Sequence, residues 1–346
     1  MELIGLGPAL FAMLVSFGFM VGVFFGFFGM GGSFLVTPVL LILGYPAPVA
    51  IASSMTFVFG TAIIATLKHH DVGQVDYTLG ALMFVGIALG IELGKMLVFG
   101  LEALGYADVV IGTTYVLVLA LIGLLFTRNA LASETTGSGS EAPTADASSD
   151  TDIPPVAKRI KSYTIPPMMT LADGSKASLW TISGVGSGVG VVSGFLGVGG
   201  GFIRMPAIHY VIGVPITTAV GTSLFGALIS GGVGAFTYGL SGVIDLGIVT
   251  ALLVGSALGA RIGSGATVYV DEDEVTIYFG LMLLVTSVAV GLGELATWFD
   301  IAVFDTASFV LLVGSAAFVT GVILYYALSA IHADALSPQT PVEQDE

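Results

Sequence analysis

The chain has 346 residues, of which 55% are hydrophobic and only 10% charged, and its mean hydropathy is +1.00. Soluble domains carry about 25% charged residues, so this composition excludes a water-soluble globule and points to an all-α, multi-pass protein of the cell membrane. The formal net charge of −15 makes nucleic acid a poor partner, and the lack of cysteine excludes disulfides and thiol chemistry.

In chain order, the first apolar stretch covers residues 8–28. It lacks a basic leader and runs straight into a glycine cluster, so it is expected to be retained as a span and not cleaved as a signal. The cluster lies in GFFGMGGSFLVTP, from Gly26 to Pro38. Residues 33–43 are apolar but too short to span: at 1.5 Å per residue they cover roughly half of a hydrocarbon layer about 30 Å thick. They are expected to form a half-helix or the return arm of a re-entrant hairpin. Spans are predicted at 48–67, 77–99 and 109–126. The acidic linker 128–177 begins with ASETTGSGSEAPTADASSDTD, which has almost nothing apolar to bury and is expected to be disordered. Near 164–179, an apolar segment followed by Asp173-Gly174 suits a small hairpin. Further spans are predicted at 179–196, 216–238, 244–263 and 275–295, with a second short arm reaching residue 212. An additional span at 304–329, within 298–330, precedes a polar acidic tail, 331–346. Lys68, Arg128 and the late linker place their ends of the chain on the cytoplasmic side.

The two halves, 1–127 and 178–297, read as internal repeats. GFLGVGGGFIRMP, from Gly194 to Pro206, repeats the first glycine cluster at an offset of 168, and one inserted residue then makes it 169. Gly213, Pro215, Ala219 and Ser223 fall on Gly44, Pro46, Ala50 and Ser54. Asp245, Gly255 and Gly259 fall on Asp76, Gly86 and Gly90. Four spans per half would make the repeats parallel. If each short arm also crosses, five would make them inverted.

Glycine is costly in a helix interior, so each cluster predicts a broken helix. Backbone groups freed at membrane depth must face protein, water or a ligand. Two broken helices in corresponding positions are the strongest sequence pointer to a transport site, and exposed N–H groups suit an anion. The candidate binding residues are therefore Gly29, Gly31, Gly32, Ser33, Gly197, Gly199, Gly200 and Gly201. The paired hydroxyls Ser53, Ser54, Thr222 and Ser223 are candidate further donors. Each taken singly reads as structural, bonded to its own helix, and only as a symmetric pair beside the glycine breaks do they stand as candidate donors. Among intramembrane charges, Glu92 and Arg261 occupy equivalent positions and could pair. Glu92 could instead pair with Lys95, which would leave Arg261 free for an anion. Arg204 is expected either to act at the site or to reach the interface with its long side chain. The run His69-His70-Asp71 has no further ligand cluster, so no metal site is expected, and nothing calls for a cofactor.

FLGVGGGFIRMPAIHYVIGVPITTAVGTSLF, from Phe195 to Phe225, resembles the signature of the sulfite exporter TauE/SafE family of membrane permeases. FFGMGGSFLVTP and VGSALGARIG fit the same pattern. Ser33 departs from it where the second copy has Gly201. The resemblance covers both halves and implies a secondary permease for sulfite, an organosulfonate or a related sulfur-containing or organic anion, working as an exporter. It leaves open a coupling proton or ion. A passive anion channel and an uptake permease for sulfate-like or thiosulfate-like anions are the alternatives. No catalytic set is evident at membrane depth, so an enzyme is not expected.

Overall fold

The computed structural model describes residues 6–28, 32–71, 75–136, 166–170, 176–214, 216–267, 269–270, 272–299 and 301–336. The expectations for Gly29, Gly31, most of the linker and the acidic tail fall outside them.

The first half comprises α1 (Pro8–Phe28), a 3-10 turn (Gly32–Leu35), α2 (Val36–Ile42), α3 (Ala47–Asp71), α4 (Tyr77–Ala103) and α5 (Ala107–Thr136). A two-stranded antiparallel hairpin, β1 (Met168–Thr170) with β2 (Lys176–Ser178), leads into the second half. There α6 (Leu179–Leu196) and α7 (Gly201–Ala207) are followed by a π turn (Ile208–Ile212). Then come α8 (Ile216–Gly239), α9 (Leu246–Ala266), α10 (Glu272–Phe299) and α11 (Ala302–Leu336). Eight helices among the described residues are long and apolar enough to cross a membrane. The chain is thus an all-α polytopic membrane protein. α5 runs on past the expected end at 126, so the opening residues of the linker are helical.

Local chemistry sets several boundaries. Asp76 caps α4, its carboxylate accepting from Leu79 N at 2.9 Å. Asp245 caps α9 in the same way, accepting from Gly247 N and Ile248 N at 2.9 and 3.1 Å.

Lipid offers no hydrophobic drive between helices, so close approach through small residues does the packing. Gly18, Gly22 and Gly26 of α1 lie against Leu252, Ser256 and Ala260 of α9. Gly86, Gly90 and Gly94 of α4 lie against Ser183, Ser187 and Val191 of α6. Both pairs run parallel and cross the two halves.

The helices that the duplication aligns run the other way. Met55 of α3 is opposite Gly234 of α8, and Phe59 is opposite Gly231. Gly112 of α5 meets Glu294 of α10, and Thr127 meets Gly280. Both pairs are antiparallel, so the two halves run in opposite senses. α3 follows α9 in parallel, with Ser53 beside Asp245 and Thr61 beside Ser256. It therefore also runs parallel to α1. The segment between α1 and α3 must then carry the chain back, as must the segment between α6 and α8. The odd number of passes, open in the sequence, is decided by these contacts.

A side chain at Gly255 would overlap the Val15 carbonyl of α1. Gly255→Val is expected to force α1 and α9 apart and cost about 1–3 kcal/mol. Thermal unfolding of the purified protein in detergent, with gel filtration, should show a lowered midpoint. An unchanged midpoint would contradict this packing.

Candidate functional site

α6 stops at Leu196 because three of the next four residues are left-handed. Gly197, Gly199 and Gly200 have φ of 75°, 63° and 74°. α7 then starts at Gly201. The loop lies beside Val58 of α3 and Ser230 of α8, well inside both helices. It is buried at membrane depth.

Its carbonyls are taken by side chains from several helices. Tyr238 OH donates to Gly194 O at 2.7 Å, and Tyr115 OH donates to Leu196 O. Ser54 Oγ donates to Gly197 O at 2.8 Å and Ser33 Oγ to Val198 O at 2.6 Å. Ser230 Oγ donates to Gly199 O at 2.6 Å, Arg204 N to Gly200 O at 2.7 Å, and Ser223 Oγ to Gly201 O at 3.0 Å. The N–H groups of Val198, Gly199 and Gly200 are different: none has an acceptor among the described residues. Backbone N–H groups buried at membrane depth are ordinarily paired. The loop therefore presents donors, and its acceptors are already used.

The predicted hydroxyls are thus brought together, but each is engaged in the protein. Ser33, Ser54 and Ser223 each have one O–H, and it points to a loop carbonyl. Ser53 Oγ accepts from Asp245 N at 3.2 Å, and Thr222 Oγ1 accepts from Asp76 N at 3.0 Å. These two bonds tie α3 to the start of α9 and α8 to the start of α4. Gly32 opens the 3-10 turn that carries Ser33.

Arg261 is not brought here. It is exposed on α9, two residues from both Gly259 and Gly263. At about 100° per residue that puts it opposite the face packed on α1. Glu92 pairs with Lys95 at 3.8 Å and not with Arg261, and Lys95 Nζ also donates to Thr237 O at 2.8 Å.

The cation that does reach the loop is Arg204, which is 0% exposed. It does not extend to the interface. Its Nη1 donates to Ser223 O at 3.1 Å. Its Nη2 donates to Gly199 O at 3.1 Å and Ser230 Oγ at 3.0 Å. Its Nε is buried with no hydrogen-bond partner among the described residues. Sequence reasoning did not place this guanidinium. The available signal was Gly226 with Ser230, one turn apart on α8, where the first half has Phe57 and Thr61. Among the described residues no cluster of His, Asp or Glu could hold a metal.

The family model for "Sulfite exporter TauE/SafE" matches residues 14–290. The chain belongs to that family. It is 25% identical to a probable membrane transporter protein of Xylella fastidiosa (strain Temecula1) over 283 residues, covering 80% of this chain and 93% of that protein. It is 23% identical over 288 residues to the probable membrane transporter protein YunE of Bacillus subtilis (strain 168), covering 79% and 94%. No solved structure matches. This TauE/SafE member is a membrane permease.

Replacing Ser223 by alanine removes the donor to Gly201 O and loosens the loop. Apparent affinity for cargo is expected to weaken by roughly 1 kcal/mol, about fivefold, with insertion intact. A KM equal to wild type in a reconstituted flux assay would show that this bond does not shape the site.

Proposed function

We propose that the chain is a secondary transporter that exports a small anion: sulfite, an organosulfonate or a related sulfur-containing or organic anion. The observation that supports this is the run of N–H groups at the buried residues Val198, Gly199 and Gly200, which have no acceptor among the described residues. An anion accepts several such donors at once, and in a low-dielectric site it requires them. Dipolar donors hold an ion without fixing it, which suits a carrier that must release. Gly29, Gly31 and Gly32 are the sequence counterparts of this loop in the first half and belong to the same proposal. Ser33, Ser54 and Ser223 brace the second-half loop through its carbonyls, Ser53 and Thr222 tie the starts of α9 and α4, and Arg261 lies outside this group. Two halves of opposite sense allow the site to open to each face in turn. A proton or ion gradient drives the export.

The test is flux of labelled sulfite, sulfate and a sulfonate in proteoliposomes, with and without a pH gradient. Wild type is expected to accumulate an anion against its gradient. Gly200→Val is expected to abolish flux without loss of insertion. A side chain there would lie 2.7 Å from Val189 Cγ1 and 3.1 Å from Arg204 Nη2, on left-handed backbone. Flux that only ever equilibrates would identify a passive channel, and normal flux in Gly200→Val would remove the loop from the pathway.

A further inference from the structure

The amide loop provides dipoles but no net charge, and among the described residues the only full charge bonded to it is the Arg204 guanidinium. Three of its five N–H groups are used, all on neutral acceptors: two carbonyls and the Ser230 hydroxyl. Among the described residues no carboxylate lies within ion-pair distance of it. A fully buried cation without a counter-charge is strongly unfavourable, and such a group ordinarily has a partner.

The duplication places no cation at the matching position of the first half. At an offset of 168, Arg204 corresponds to Val36. At 169, its neighbour Gly226 corresponds to Phe57. Val36 and Phe57 are both fully buried. In the second half that apolar pair is exchanged for a cation and the space it needs. A methyl group at Gly226 would lie 2.6 Å from Cδ, 2.8 Å from Nε and 3.0 Å from Cζ of Arg204. The rest of the cradle is kept, since Ser223 corresponds to Ser54 and Ser230 to Thr61.

We propose that Arg204 is the counter-charge of the transported anion, and that one guanidinium among neutral donors selects a monoanion over a dianion. This rests on the anion-permease reading. A monoanion beside Nε and the three amides would neutralise the site. A dianion would leave one negative charge uncompensated in the same low-dielectric space.

The experiment uses the full chain in proteoliposomes with methanesulfonate and sulfate as monovalent and divalent sulfur oxyanions. Ligand-induced thermal stabilisation in detergent is the second readout. Wild type is expected to move methanesulfonate at least about tenfold faster than sulfate and to be stabilised by it. Arg204→Gln is expected to lose both the flux and the stabilisation, while Arg204→Lys keeps part of each and the monoanion preference. Gly226→Ala displaces the guanidinium without removing charge, and it decides the matter if Arg204→Gln fails to insert. A raised KM for methanesulfonate in Gly226→Ala supports the proposal. An unchanged KM in Arg204→Gln or Gly226→Ala, or a wild-type preference for sulfate, overturns it while leaving the anion permease standing. A wild type that moves neither anion and is stabilised by neither defeats the reading beneath it.

Discussion

A break in a membrane helix frees backbone groups that lipid cannot satisfy, and the structure around residues 196–201 follows from how they are paired. The carbonyl side is closed by donors from α2's leading turn, α3, α5, α7 and α8. Those bonds draw residues distant in sequence to one point. Among the described residues the amides of Val198, Gly199 and Gly200 have no such partner. Serines and tyrosines that occupy the acceptors thus fix the shape of the glycine turn.

The scaffold that holds this loop is built on close helix contact. α1 and α9 interlock through glycines on both, and α4 and α6 do the same. In water, apolar area would supply the energy of association. In lipid, dispersion across closely fitted backbones must do so, which accounts for 49 glycines in a largely helical chain. The crossed pairing also means that neither half folds around itself. Each half completes its tightest pair with a helix of the other, and the hydroxyl bonds of Ser53 and Thr222 repeat that exchange at the starts of α9 and α4.

Against this near-symmetry, Arg204 marks the second half as different. A transporter built from similar halves still needs an address for charge. Arg204 is proposed as that address, and its counterpart in the first half, Val36, carries no charge.

The amino-acid sequence by itself determined the membrane class, the positions of the spans to within a few residues, and the second-half glycine break. These depend on local hydropathy and on glycine's cost in a helix, which act residue by residue. The offset of 168–169 also reads directly, because matching glycines and prolines need no coordinates. The helix directions are a matter of tertiary structure. A span carries no mark of which way it runs, and only contacts such as Met55 with Gly234 and Phe59 with Gly231 make α3 and α8 antiparallel. The roles of the hydroxyls were decided there too. Ser54 and Ser223 read equally as donors to cargo until the carbonyls of Gly197 and Gly201 are found beside them. The choice between cations was the furthest from the sequence. Arg204 and Arg261 each lie in apolar surroundings. Only packing turns one inward onto Gly199 and Ser230 and leaves the other exposed on the far side of a helix whose glycine face is spent on α1.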